Sequence, residues 1–298
     1  MHIPRYRFLN IAAFFAIYVI WGSTYLLNKI VVTEIPPFLL ASIRFLSAGI
    51  LIFTIAKILN YNISINKRQF INSTIAGFLF LAYGNGVFVW ALKYVDSGFA
   101  ALLAAMQPLF VLVLMRIIDK EKILPKAYIG VSLGILGMYL LVNQQELQAN
   151  QNSIIGILMI LTCIISWSYG SVFVAKAELP ANFFVATGYQ MLIGGSILFI
   201  ASFLFGEKWS SPLDWSKPAQ ISMLLLILFG SIIAFTAFNY LLKVVSAEKV
   251  ATSAYVNPLI ALVLGWYILD EHISLQSIIA AVILLTGVYF INRKKRIF

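Results

Sequence analysis

One arginine stands where an apolar chain should not hold a charge. Arg44 lies eight residues past Pro36, inside a run of Leu, Ala, Ile and Phe. At about 1.5 Å per helical residue this is about 12 Å from the start of that run, close to the middle of a bilayer core about 30 Å thick. Insertion scales put a central arginine at roughly 2.5–3.5 kcal/mol, so such a residue faces a protein interior or a water-filled cavity. Two roles fit it: a structural arginine held by carbonyls or helix ends, and a clamp for an anionic group such as a carboxylate. The matching place in the second half of the chain holds Gln190, so a clamp would be one-sided. No acidic residue lies deep in an apolar run to pair with it, because Glu34, Asp96, Glu178, Glu248, Asp270 and Glu271 all fall near run ends.

Other polar residues share that depth. Trp21, Tyr25 and Asn28 recur at i, i+4 and i+7 and so stack on one helix face. Trp167 and Ser171 repeat the four-residue spacing. Both tryptophans lie about thirteen residues into their runs, too deep for an interfacial belt. They therefore either line a cavity or pack between helices. Gln107-Pro108 and Asn257-Pro258 form a second matched set. A proline removes a backbone donor and frees a carbonyl one turn back, so a kink is expected at each. The amides either repair the freed backbone or present it, with themselves, to a polar ligand. Tyr83, Asn85 and Trp90, with Asn239 and Tyr240, add donors and ring faces. Tyr83 and Trp90 share a face that excludes Asn85, so at least one of the three packs elsewhere. Gly84 and Gly86 suit close helix approach. Gly130/Gly134 and Ser277/Ala281 are small-xxx-small faces, for internal packing or a homodimer interface.

The elements that must hold these residues follow from composition. The chain is 61% hydrophobic and 11% charged with mean hydropathy +0.94, against about 45–50% and about 25% in soluble domains. This describes an integral membrane protein in the lipid bilayer. The net charge of +10 lies between apolar runs and in Arg293-Lys294-Lys295-Arg296, not on one face, which argues against nucleic acid. A single Cys163 excludes an intrachain disulfide, and with only His2 and His272 there is no metal-ligand spacing. No cofactor and no metal are expected.

Ten runs are long enough to span, at about 8–32, 36–58, 70–92, 96–117, 124–143, 154–175, 180–205, 220–242, 248–269 and 274–292. Arg5 and Arg7 precede the first, which is too long for a signal h-region of about 7–15 residues and reads as an uncleaved span. The pairs Lys93/Lys243, Pro108/Pro258, Glu121/Glu271, Gly137/Gly287 and Tyr139/Tyr289 are each 150 positions apart, and Trp21/Trp167 are 146 apart. The chain thus reads as two copies of one five-helix unit, 1–145 and 146–298, divided in the polar stretch from Asn143 to Ser153. An odd number of spans per copy turns the second upside down relative to the first. The expected fold is an all-α integral membrane protein with ten transmembrane helices in two inverted five-helix repeats. Sixteen Lys and Arg fall on the face that holds both termini, and four, Lys29, Lys93, Lys208 and Lys217, on the other. This bias predicts cytoplasmic termini.

Trp21-Gly22-Ser23-Thr24-Tyr25, Arg44-Phe45, Gly84-Asn85-Gly86, Pro108 and Glu121 resemble the drug/metabolite transporter superfamily, EamA type. So do Ser166-Trp167-Ser168-Tyr169-Gly170-Ser171, Gly230-Ser231-Ile232-Ile233-Ala234, Tyr255-Val256-Asn257-Pro258 and Glu271. The resemblance covers nearly the whole chain and runs nearest to YedA-like exporters. It implies a bacterial plasma-membrane exporter of small metabolites, with a central cavity lined mainly by helices one, three, four, six, eight and nine. The substrate-binding candidates are Trp21, Tyr25, Arg44, Tyr83, Asn85, Trp90, Gln107, Trp167, Ser171, Asn239, Tyr255 and Asn257.

Aromatic and amide side chains with one cation and no deep anion suit amino acids and related neutral, zwitterionic or modestly apolar solutes. Without an intramembrane carboxylate or histidine, coupling would use an end carboxylate, or transport would be facilitated diffusion or exchange. A gated pore is the main alternative, though its continuous polar file is missing. A membrane-embedded lipid enzyme would need a nucleophile and base at depth, which the sequence lacks.

Overall fold

A computed structural model describes residues 5–118, 120, 125–142, 151–251 and 253–292. Among the described residues helix is the only regular structure. The helices, in chain order, are α1 (Phe8–Val32), α2 (Pro37–Ile58), α3 (Lys67–Ala91), α4 (Ser97–Ile118), α5 (Pro125–Val142), α6 (Ser153–Lys176), α7 (Phe183–Leu204), α8 (Lys217–Val244), α9 (Ser253–Leu269) and α10 (Leu275–Asn292). Seven of them, α1 to α4 and α6 to α8, are long and apolar enough to cross a membrane; α5, α9 and α10 are shorter apolar helices. α9 is short because its run is broken: a single turn, Ala247–Val250, precedes it. α4 is broken likewise, into Ser97–Ala104 and Gln107–Ile118. The kinks expected from the two prolines are thus breaks a few residues ahead of Pro108 and Pro258. Large apolar side chains on the helices, such as Phe199, Phe203, Leu204 and Tyr267, stand on the surface, as lipid contact requires.

The helix ends show why these residues start and stop where they do. Asn66 and Gln69 close a reciprocal capping box on α3. Asn182 caps α7, and Ser216 caps α8 ahead of Pro218 at the first turn. Two caps come from distant loops instead. Glu207 accepts from the N–H groups of Phe38 and Leu39 at the start of α2, 3.1 and 2.8 Å. Glu271 accepts from Ser97 N–H and Oγ and from Gly98 N–H at the start of α4, 2.9, 2.7 and 3.1 Å. At the far ends, positive φ recurs at matched positions: Asn60 (56°) and Gly206 (65°) after α2 and α7, Lys120 (54°) and Asp270 (53°) after α4 and α9.

Packing is reciprocal. α2 lies along α7 and α5 along α10; α1 meets α8 and α9, while α6 meets α3 and α4. α5 presents Gly130, Gly134 and Gly137 to α10, so close that a Cβ on Gly287 would lie 2.8 Å from the Gly130 carbonyl. That small-residue face is therefore occupied within the chain. Loop contacts sort the ends. The α1–α2, α3–α4, α7–α8 and α9–α10 loops meet through Glu34–Ser216, Glu207–α2, Glu271–α4 and Lys29 with Leu92, Val95 and Asp96. At the opposite ends the α2–α3 and α6–α7 loops meet through Asn66, Arg68 and Asn72 with Glu178, and Lys243 at the end of α8 donates to Ala177.

Candidate functional site

A cavity of about 110 Å³ lies where these helices cross. α1 supplies Trp21, Thr24, Tyr25 and Asn28; α3 supplies Gly84, Asn85 and Phe88; α4 supplies Gln107; α6 supplies Cys163 and Trp167; α8 supplies Gly230, Phe235 and Phe238; α9 supplies Ser253 and Asn257. α2 and α7 contribute too, through Arg44, Phe45 and Met191, beyond the six helices expected. Seven of the twelve candidate residues meet here: Trp21, Tyr25, Arg44, Asn85, Gln107, Trp167 and Asn257.

Three wide turns build the site. π-helical segments occupy Ala16–Ile20 in α1, Phe78–Asn85 in α3 and Leu226–Ala234 in α8. Such turns loosen the regular hydrogen-bond ladder and are common at functional sites. Side chains from a neighbouring helix take up the carbonyls. Trp21 Nε1 donates to Gly230 O at 3.1 Å, and Ser166 Oγ to Leu79 O at 2.8 Å. With its amide nitrogen turned to α1, the orientation its surroundings satisfy, Asn257 donates to Tyr18 O (2.7 Å), Ile17 O (3.1 Å) and Ser253 O (3.2 Å). Asn257 thus repairs backbone while facing the cavity.

Arg44 is 3% exposed. Its Nε donates to Ser231 Oγ at 2.8 Å and Nη1 to Asn28 Oδ1 at 3.4 Å, both neutral acceptors. Its guanidinium carbon sits 4.9 Å from the Phe45 ring centroid. Nη2 reaches the bare backbone of Gly230, where an added Cβ would lie 3.1 Å away. Among the described residues no carboxylate pairs with Arg44; the ion pairs Lys29–Asp96 and Arg68–Glu178 lie near helix ends.

One wall is aromatic. Trp21 and Trp167 meet edge-on, with centroids 5.7 Å apart and planes at 85°, and both rings pack on Phe235 and Phe238. Phe80 packs beneath Trp167 at 5.0 Å. Gly84 makes this possible, since a Cβ there would lie 3.1 Å from Trp167 Cε3 and 2.6 Å from Leu79 O. Across the cavity, Tyr25 stands edge-on to Phe88 at 5.5 Å.

Four of the other candidates sit elsewhere. Tyr83 lies against Phe78, whose ring is on the surface. Trp90 packs edge-on to Phe38 and Phe205. Ser171 Oγ donates back to Trp167 O at 2.9 Å. Asn239 bonds Thr187 Oγ1 and Gln190 Oε1 at the α7–α8 joint. Tyr255 is helical backbone in α9, and its side chain lies outside the described residues. Phe88, Phe235 and Phe238 were missed, since an apolar ring facing a cavity reads in sequence like one facing lipid.

A model of the EamA-like transporter family matches twice, over residues 9–143 and 154–293. The chain belongs to the EamA-like transporter family. The inner membrane transporter YedA of Escherichia coli (strain K12) is 37% identical over 292 residues, 95% of this chain and 92% of that protein. The transporter YoaV of Bacillus subtilis (strain 168) is 25% identical over 91% of this chain and 92% of its own. A protein named as a probable amino-acid metabolite efflux pump of Escherichia coli (strain K12) is 24% identical over 91% and 90%. A crystal structure at 19% identity shares the fold, with TM-score 0.70 over 95% of this chain and 96% of that one. This EamA protein is a membrane transporter, and the cavity at its helix crossing is its candidate solute site.

Proposed function

We propose that the protein is a secondary transporter that exports small metabolites, amino acids or related neutral, zwitterionic or modestly apolar compounds, across a bacterial plasma membrane by alternating access. The observation that carries the reading is the cavity itself: polar groups at mid-helix, mostly on helices of both halves, around a space enclosed by aromatic rings. Its volume of about 110 Å³ is below the roughly 300–1,000 Å³ of sites for drug-sized ligands and suits a small solute. The name carried by the E. coli efflux pump supports the direction and the solute class.

The architecture we infer is ten transmembrane helices in two inverted five-helix repeats, 1–145 and 146–298. The double family match, the reciprocal packing and the matched positive-φ ends support it. So does the sorting of loops, because the α1–α2 loop and its counterpart α6–α7 lie with opposite sets of ends. Both termini are cytoplasmic in this reading, by the bias of sixteen basic residues against four. Reconstitution tests the function: medium from overexpressing and deletion cells is compared for metabolites, and the enriched compounds are tried in proteoliposomes. Saturable, counter-stimulated flux is expected. Flux that rises linearly with concentration and shows no counter-stimulation would indicate a pore and overturn the carrier reading.

A further inference from the structure

This inference rests on the exporter and alternating-access reading above and departs from its amino-acid solute class, because the charge arrangement favours an anion. We propose that the preferred solutes are small carboxylates that lack a free ammonium group, with Arg44 holding the carboxylate and the Trp21–Trp167 wall taking the apolar body.

Arg44 is held by neutral partners alone. It is buried against the cavity, its two side-chain partners are a hydroxyl and an amide, and among the described residues no carboxylate faces it. A buried cation without a counterion is expensive, and a bound anion relieves that cost while a second cation adds to it. The guanidinium offers five N–H donors in a planar fork that matches a carboxylate. Only Nε and one Nη1 donor are engaged by the protein, so Nη2 remains available.

The rest of the lining adds donors and carries no carboxylate. Trp167 Nε1 and the Tyr25 hydroxyl make no hydrogen bond among the described residues, and both line the cavity. The acceptors there are neutral: Asn28 Oδ1 takes Arg44, Gly230 O takes Trp21, and the buried Asn85 Oδ1, without a partner among the described residues, is an amide oxygen that carries no charge to offset an ammonium. The carboxylates that could neutralise an ammonium are committed at helix ends, Glu207 and Glu271 capping α2 and α4 and Glu34 bonded to Ser216. An amino acid would gain at Arg44 through its carboxylate and then bring its ammonium, two bonds away, next to the same guanidinium. The desamino acid keeps the gain and avoids the repulsion.

Four compounds with one isobutyl-type body isolate the terms: 4-methylpentanoate, leucine, 3-methylbutylamine and 4-methylpentanamide. Dissociation constants come from concentration-dependent thermal stabilisation of the purified full-length protein in detergent at pH 7. The acid should bind at least tenfold more tightly than leucine or the amide, and the amine should bind most weakly. Arg44→Gln should bring acid and amide within about threefold of each other, and Arg44→Lys should keep part of the preference, since it keeps the charge but not the fork. Leucine or amine binding as tightly as the acid in the wild type, or an unchanged order in a folded Arg44→Gln variant, would overturn the proposal. The wild-type comparison needs no variant to fold. If none of the four binds, the carboxylate assignment falls alone, provided proteoliposomes still show counter-stimulated flux of enriched metabolites. Loss of that flux as well would remove the exporter reading.

Discussion

Replacing Gly230 with alanine tests whether the wide turn in α8 is what seats Arg44. An alanine Cβ at this position would lie 2.9 Å from Thr24 Cγ2 and 3.1 Å from Arg44 Nη2. Carbon contacts are optimal at about 3.5–4.0 Å, so one neighbour must retreat by roughly 0.6–1 Å. Thr24 is itself tied, its hydroxyl donating to Trp21 O at 2.7 Å, and Arg44 is tied through Nε to Ser231, one residue on. Overpacking of this kind costs about 1–3 kcal/mol, a factor of roughly 5 to 150 in the folding equilibrium. If the guanidinium is what moves, a charge-assisted hydrogen bond to the solute is lost too, worth about 1.5–3 kcal/mol or roughly 10- to 150-fold in affinity. The assay pairs thermal unfolding in detergent with the dissociation constant for 4-methylpentanoate. Thr24→Ser removes the nearer methyl and keeps the hydroxyl, so Thr24→Ser with Gly230→Ala should recover part of the stability. Gly206→Ala is the control: φ is +65° there and nothing lies within 4 Å of the new Cβ. It should cost about 1–2 kcal/mol of backbone strain and leave affinity unchanged. Wild-type affinity and stability in Gly230→Ala, or equal loss of affinity in Gly206→Ala, would refute the reasoning.

Trp21→Phe keeps ring packing but leaves Gly230 O without its donor, so a loss of about 1–3 kcal/mol in thermal unfolding is expected; no loss would mean that water replaces the indole. Glu271→Gln removes the charge from a cap that receives three donors, and hydrogen exchange should quicken over Ser97–Ala104 while Gln107–Ile118 keeps its rate, because α4 is broken between them. A uniform change along α4 would contradict this. Hydrogen bonds from the Ser216 hydroxyl and then its N–H hold the Glu34 carboxyl below its ordinary value. The folded value lies below the unfolded one, so this tie contributes above the ordinary carboxylate range and fades as pH falls through the lowered value. Melting temperature should therefore show an acid-dependent step that Glu34→Gln reduces, and an identical profile in the variant would exclude the link.

The residues legible in the sequence were those whose type conflicts with their surroundings. Arg44 stands out because a cation in an apolar run needs an explanation, and Trp21 with Trp167 because a large amphipathic ring recurs thirteen residues into two runs. Face arithmetic separated the residues of α3 without saying which face meets the cavity. It grouped Tyr83 with Trp90 and set Asn85 apart; the structure puts Asn85 on the cavity and the other two away from it. Which face turns inward depends on the helices packed against α3, α6 and α7 among them. Asn239 was read as a cavity amide, yet a buried Gln190 and Thr187 stand opposite it on α7. Pairing of that kind depends on which helices touch, information carried by the fold and not by the spacing along one helix. The spacing on the Gly130 face of α5 suits a dimer and internal packing alike, and in the structure α10 lies against it.

A regular helix spends every mid-membrane backbone group on itself, so a site at that depth needs places where the ladder is opened. This chain opens it by wide turns in α1, α3 and α8 and by breaks in α4 and α9. Gly84 and Gly230 mark the same device in the two halves, each a glycine inside a wide turn against which a large side chain is pressed. What is pressed differs. Against Gly84 it is the indole of Trp167; against Gly230 it is the guanidinium of Arg44, with Trp21 on the carbonyl. The cavity thus has a cation seated on one of these glycines and an indole on the other. A strictly symmetric pair could not do this, because any charge would appear twice and the solute would meet both. Under the two-repeat architecture proposed above, Gln190 at the place that matches Arg44 is what leaves the cavity a single cation, and in the exporter reading that cation gives the solute its orientation.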